Sequence, residues 1–284
     1  MSIVDDVKAR GFDAVREWAL ELDGVEPARA LPEPAALPRE ALLTLADRVR
    51  RWHEAQRPRD LKIEIEPGVV LERRWVPLRS VGVYVPRGLI STLVMCTVPA
   101  QVAGVARIVV VTPPSGAGLV AAAAEALGID EVWALGGPHA IAWLAYVERV
   151  DRIVELELAA QAEHGDGTVC RVVHSLEAAE ALAPEHLVLL GDEAEARAGD
   201  VRNAGAVFVG ASSPVAAGDY ATGGNHVLPT GGWARSVGGL GIETFLKPVT
   251  IQRLTPEGLA RVRPVVEALA GAEGMPAHAA AVRR

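Results

Sequence analysis

The residues of this chain that could do chemistry gather in one run, GDYATGGNHVLPT, at residues 218–230. The run sets Asp219, Tyr220, Asn225 and His226 among three Gly and one Pro. It carries no apolar face at helix or strand period, so a loop is expected there. In a chain that is 50% hydrophobic, a polar loop of this length is more often a working site than a spacer. Asp219 and His226 are its two groups suited to proton or metal chemistry. The plain alternative is an Asx turn at Asp219 beside a solvated imidazole at position 226.

Other polar groups stand at informative spacing elsewhere. Gln161 and His164 lie three apart on an expected helix that ends before Gly165, so both point to one side. With Asp219 and His278 they would offer two imidazoles, a carboxylate and an amide oxygen. That donor set suits Zn²⁺ or a similar divalent ion. Spacing alone also describes an exposed polar pair and unrelated surface residues. Glu185 and His186 follow Pro184 and open the apolar run LVLL. Imidazole has the pKa for proton transfer near neutrality, and a carboxylate can position or deprotonate a water. Against this, open α/β sites usually form at the opposite, carboxyl ends of strands, and a solvated strand start is the alternative. Gly136 and Gly137 precede an expected helix whose N-terminus could meet a phosphate, but the GxGxxG pattern is incomplete. Ser212, Ser213 and Ser236 have no paired base and read as turn or cap residues. No nucleophile elbow or P-loop occurs.

The elements that must position these groups follow from periodicity. Apolar residues at helical spacing over residues 2–22, interrupted by Gly11, allow two short helices. A Pro-rich connector follows, then a helix over about 38–56 with Leu42, Leu45, Val49 and Trp52 on one face. Strands are expected at 80–85, 107–112, 131–135 and 150–154, separated by helices at 92–104, 116–127 and from Pro138. This alternation indicates right-handed βαβ units. Beyond it, helices at 155–163, 175–182 and 193–203 alternate with strands at 168–173, 187–190 and 206–210. A C-terminal helix is expected at 255–270 with Thr255 as its cap. The fold class is therefore α/β, with incomplete Rossmann-like doubly wound parallel sheets and helical N-terminal and C-terminal arms. Four regions are expected. Residues 1–60 form a helical arm without chemistry of its own, and residues 61–155 a first α/β domain. Residues 156–230 form a compressed second α/β domain with the metal and catalytic loops, and residues 231–284 a helical tail.

Composition narrows the class. A net charge of −8 and a pI near 5.5 argue against nucleic acid as the main partner. The densest basic stretch, residues 48–59, is interrupted by Glu54 and reads as a solvated helix face. The longest uncharged run, residues 89–106, contains Ser91, Thr92, Thr97, Pro99, Gln101 and Gly104, so a buried core segment is expected rather than a membrane span. Cys96 and Cys170 are the only cysteines and are expected as buried thiols of a reducing cytosol. With Asp5, Asp6 and Lys8 where a signal peptide needs apolar residues, a cytoplasmic protein is expected.

The motifs VGVYVPRG, VPAQVAGVARIVVVTPP, GGPHAIAWLAY, QAEHG, APEHL, AGAVFVG, AAGDYATGGNHVLPT and AEGMPAH occur in this order. In them the chain resembles the histidinol dehydrogenase family, zinc- and NAD-dependent enzymes of histidine biosynthesis. The resemblance implies Gln161, His164, Asp219 and His278 as zinc ligands. It puts Glu185 and His186 at the family's acid–base pair: His takes the alcohol proton while hydride leaves to NAD, and Glu activates water for a second oxidation. L-histidinol would thus become histidine through histidinal. It further implies substrate contacts from His226 and Glu273 beside His186 and the four ligands, and NAD contacts from Tyr84 and His139, which stands where the family has Gln. A homodimer is implied in which one tail completes the other subunit's metal site. Two family segments are absent: a GPGN turn and a long stretch with AGPSE after VERVDRIV, and a piece between GDGTVCRVV and HSLEAAEALAPEHL. A non-catalytic metal- and imidazole-binding relative without NAD binding is the alternative. A metal-dependent hydrolase with Glu185 as base has no specific motif behind it.

Overall fold

The computed structural model describes residues 2–155 and 172–283. Gly11, at φ 66°, ends α1 (Ile3–Arg10) and starts α2 (Phe12–Leu22). The Ser2 hydroxyl caps α1 by accepting from the Asp5 amide. β1 (Ala28–Arg29) follows, and α3 (Arg39–Ala55) begins after Pro38. The inner face of α3 carries Leu42, Leu45, Ala46, Val49 and His53. Trp52, expected on that face, is 54% exposed. At 100° per residue His53 continues the stripe of Val49 and Ala46, whereas Trp52 falls to its margin.

β2 (Leu61–Glu66) and β3 (Val69–Pro77) form an antiparallel pair, then β4 (Ser80–Tyr84), α4 (Ile90–Ala103) and β5 (Arg107–Thr112) follow. The series continues with α5 (Ala117–Ala126), β6 (Val132–Ala134), α6 (Gly137–Ala142) running into a π turn (Trp143–Val147), and β7 (Arg152–Glu155). Further on come α7 (Leu176–Leu182), capped by Ser175, β8 (His186–Leu189), α8 (Asp192–Ala196) and β9 (Ala206–Val209). α9 (Val215–Ala217) leads into a second π turn (Gly218–Thr222). The chain ends with β10 (Leu246–Leu254), α10 (Pro256–Ala272) and α11 (Pro276–Ala281).

The large sheet has the order β1-β6-β5-β4-β7. β4 pairs in parallel with both β5 and β7, and β5 in parallel with β6. β5 and β6 extend one side of β4, after which the chain crosses back to place β7 on the other. That reversal is the topological switch point of a half Rossmann sheet, and β1 closes its far edge antiparallel. The sheet is apolar on both faces, as the unbroken RIVVVT of β5 requires. α1 and α2 cover one face, where Val7, Val15 and Ala19 pack with Val109, Leu135 and Trp143. A second, two-stranded parallel sheet pairs His186 with Ala206 through Leu189 with Val209.

The chain divides into two compact units, Met1–Arg57 with Pro77–Phe245, and Pro58–Val76 with Leu246–Arg284. The second unit contains the sheet β10-β3-β2 with α10 and α11. Several expectations are thereby corrected. The first three helices belong to the same unit as the large sheet and do not form a separate arm. The tail beyond residue 231 is not helical throughout: β10 pairs with β3. The helix expected at 193–203 stops at Ala196, followed by a 3₁₀ turn (Ala198–Asp200), because Gly199 and Asp200 disfavour its continuation. Residues 218–222 form a π turn where a loop was expected. Gln161, His164 and Cys170, with the helix at 155–163 and most of the strand at 168–173, fall outside the described residues. No helix among the described residues is long and apolar enough to cross a membrane.

Candidate active site

His186 is the first residue of β8, and Asp219 the second of the π turn after α9. Register alone does not make them neighbours; the path of the π turn does. His186 Nε2 stands 3.8 Å from Asp219 Oδ1. Nε2 is buried and has no hydrogen-bond partner among the described residues. Phe208 of β9 lies beneath the imidazole, ring centroids 5.8 Å apart. Phe208 also explains Gly218: a Cβ there would come 2.6 Å from the phenyl edge, so any larger residue would lift Asp219 away from His186. Beside it, the Glu185 carbonyl accepts from the Ala206 amide, fixing the backbone of the Glu-His pair to β9.

His226 follows on the same loop. Its Nδ1 lies 3.0 Å from the Asp219 carbonyl oxygen and its Nε2 3.3 Å from Thr92 Oγ1 on α4. Burial holds this ring below the usual imidazole value, against the opposing pull of Asp219. Asn225 anchors the loop: Nδ2 donates to the Met95 carbonyl at 2.8 Å, and Oδ1 accepts from the Val227 amide at 2.9 Å.

The wall behind the loop is α3. Arg48 donates to the Ala221 carbonyl at 2.7 Å. Gly223, at φ 94°, brings its backbone onto α3 so closely that a Cβ would lie 2.6 Å from the Arg48 carbonyl oxygen. His53 is fully buried, with Nδ1 2.7 Å from the Val49 carbonyl and Nε2 3.4 Å from Asn225 Nδ2. Burial lowers its pKa, which keeps it neutral. The helix expected to lack chemistry thus holds the site loop. Its signal in the sequence was a histidine at the centre of an apolar stripe.

Tyr84 ends β4 at the switch point, half-buried, and its hydroxyl accepts from the Gly137 amide at 3.3 Å. His139 is fully buried, and its Nε2 lies 3.0 Å from Asp23 Oδ2 at the end of α2. The same carboxylate oxygen accepts from the Gly136 amide at 2.9 Å. The His139 ring therefore supports the β6–α6 turn from inside the protein.

Glu273 caps the C-terminus of α10 and His278 lies on α11, both exposed and both in the second unit. Among the described residues no cluster of three His, Cys, Asp or Glu could hold a metal ion. Of the four expected ligands, Asp219 offers a half-buried carboxylate, an oxygen donor of the kind a divalent ion takes, while Gln161 and His164 lie outside the described residues.

The family model described as histidinol dehydrogenase matches residues 1–156 and 156–284. Histidinol dehydrogenase of Methanothermobacter thermautotrophicus is 32% identical over 391 aligned positions, covering 99% of this chain and 91% of the relative. That of Nocardia farcinica is 34% identical over 395 positions, covering 99% and 89%. These alignments exceed the 284 residues of the chain, so internal stretches of the relatives have no counterpart here. The family match is in two parts that meet at residue 156. The crystal structure of histidinol dehydrogenase from Elizabethkingia anophelis superposes with a TM-score of 0.82 at 23% identity, covering 99% of this chain and 90% of that one, which shows a shared fold. The chain is a shortened member of the histidinol dehydrogenase family.

Proposed function

We propose that the chain oxidises L-histidinol to L-histidine in two steps through histidinal, within histidine biosynthesis, as a zinc- and NAD-dependent enzyme. The observation that carries this reading is the buried, unpartnered Nε2 of His186 facing Asp219. An imidazole nitrogen without a hydrogen-bond partner among the described residues is available to take a proton from a bound hydroxyl.

Gln161, His164 and Asp219, with His278 from a second copy of the chain, would hold zinc. When bound, zinc supplies an anchor for the imidazole and amino nitrogens of the substrate. Tyr84 and the Gly136–Gly137 turn would border the dinucleotide, with His139 holding that turn through Asp23. NAD, when bound, supplies the hydride acceptor for both oxidations.

The protein's own groups handle the protons. His186 Nε2 accepts the hydroxyl proton of the alcohol as it becomes the aldehyde. Glu185 accepts a proton from the water that adds to the aldehyde carbon while the protonated His186 returns its proton to the former carbonyl oxygen, giving the hydrate and a neutral His186. His186 then accepts a hydroxyl proton of the hydrate as it becomes the acid. Phe208 limits water beside the imidazole, and Glu273 would contact the substrate from the tail.

The test is NADH formation by zinc-loaded protein given L-histidinol and NAD. Turnover is expected in the wild type and its loss in His186→Ala. Metal-dependent binding of histidinol without turnover would instead establish a binding relative that has lost dinucleotide chemistry.

A further inference from the structure

Thr92 lies in α4, an apolar and almost wholly buried helix, and its hydroxyl is buried with it, the residue being 1% exposed. A buried hydroxyl is costly unless it finds a partner. Its partner is His226 Nε2, at 3.3 Å. The other ring nitrogen faces the Asp219 carbonyl oxygen, which can only accept, so Nδ1 carries the proton. In a neutral ring protonated at Nδ1, Nε2 has only a lone pair. The Thr92 hydroxyl must then be the donor.

We infer that Thr92 is a positioning residue of the site: its hydroxyl fixes the Nδ1–H form of His226, whose ring in turn holds the Asp219 backbone and so aims its carboxylate at His186. Both His226 nitrogens meet groups of the protein, Thr92 Oγ1 and the Asp219 carbonyl oxygen. The inference deepens the reading of Asp219 as a zinc ligand and rests on that reading for its functional consequence. Its structural content stands independently.

Thr92→Val keeps the shape and removes the donor; Thr92→Ser keeps the donor. In metal-free, substrate-free protein with ¹⁵N-labelled histidine, the His226 ring signals, assigned by their loss in His226→Asn, report the tautomer directly. The wild type and Thr92→Ser are expected to show a single Nδ1–H form, and Thr92→Val a mixture. Zinc affinity should fall by about 10- to 100-fold in Thr92→Val and recover in Thr92→Ser. A wild-type ring protonated at Nε2, or a Thr92→Val protein with both the tautomer and zinc affinity unchanged, would overturn the inference. If the wild type binds no zinc, the proposed activity fails, and the tautomer measurement still decides the role of Thr92. Should Thr92→Val not fold, the wild-type tautomer and the Thr92→Ser protein carry the test.

Discussion

At the scale of single residues the site rests on groups whose hydrogen bonds are accounted for and one whose are not. His226, Asn225 and His53 each spend their polar atoms on the loop or its walls. His186 Nε2 has no such partner among the described residues, and that asymmetry separates the proposed proton acceptor from its supports. Replacing His186 by Ala should cost about 10²- to 10⁴-fold in turnover, the usual contribution of a positioned base. Its circular dichroism spectrum should match the wild type, because the ring makes no bond that the fold requires. A loss under tenfold, measured as initial NADH rate with saturating histidinol, would remove His186 from the acid–base role. The place of Glu185 and His186 at the start of β8 was legible in the sequence because they precede an apolar run. Thr92 was not, since a Thr in an apolar helix carries no sign of what its hydroxyl meets.

At the scale of elements the backbone contacts decide which substitutions the site tolerates. Gly223 combines a φ of 94° with a carbonyl 2.6 Å from any Cβ, so Gly223→Ala must push the loop off α3. The expected cost is about 1–3 kcal/mol, seen as a lower thermal midpoint together with weaker zinc binding. Asp23 makes the comparable link for the other turn. Asp23→Ala leaves the Gly136 amide and His139 without their acceptor and should cost about 1–3 kcal/mol in urea unfolding. An unchanged midpoint would show that this turn is held by other means. Most βαβ elements were legible because their apolar runs are bounded by Gly and Pro. β1, β2, β3 and β10 were missed for a physical reason: β1 has two residues, β2 and β3 carry charges along much of their length, and β10 contains Pro248. Their pairing depends on partners distant in sequence, which no local pattern records.

At the scale of the whole molecule, two features can be tested without a bound ligand or with simple mixing. His53 is neutral when folded because burial lowers its pKa below the usual 6.5. Below that value the unfolded chain binds a proton that the folded chain excludes, so stability falls as pH drops from 6.5 towards the lower folded value. Thermal midpoints at about pH 7.5 and about pH 5.5 should differ more in the wild type than in His53→Gln. Equal differences would mean that His53 does not carry the effect. If sites are shared between subunits, inactive His186→Ala and His278→Ala proteins should complement one another. Equal mixing with subunit exchange should restore about a quarter of wild-type activity, since half the dimers are mixed and each has one intact site. No recovery despite exchange would place His278 in the site of its own chain. The most direct measurement of the central claim is the ratio of NADH formed to histidinol consumed by zinc-loaded protein. A ratio of about two, with histidine as the product, is predicted for two successive oxidations; a ratio of about one with histidinal accumulating, or no NADH at all, would contradict it.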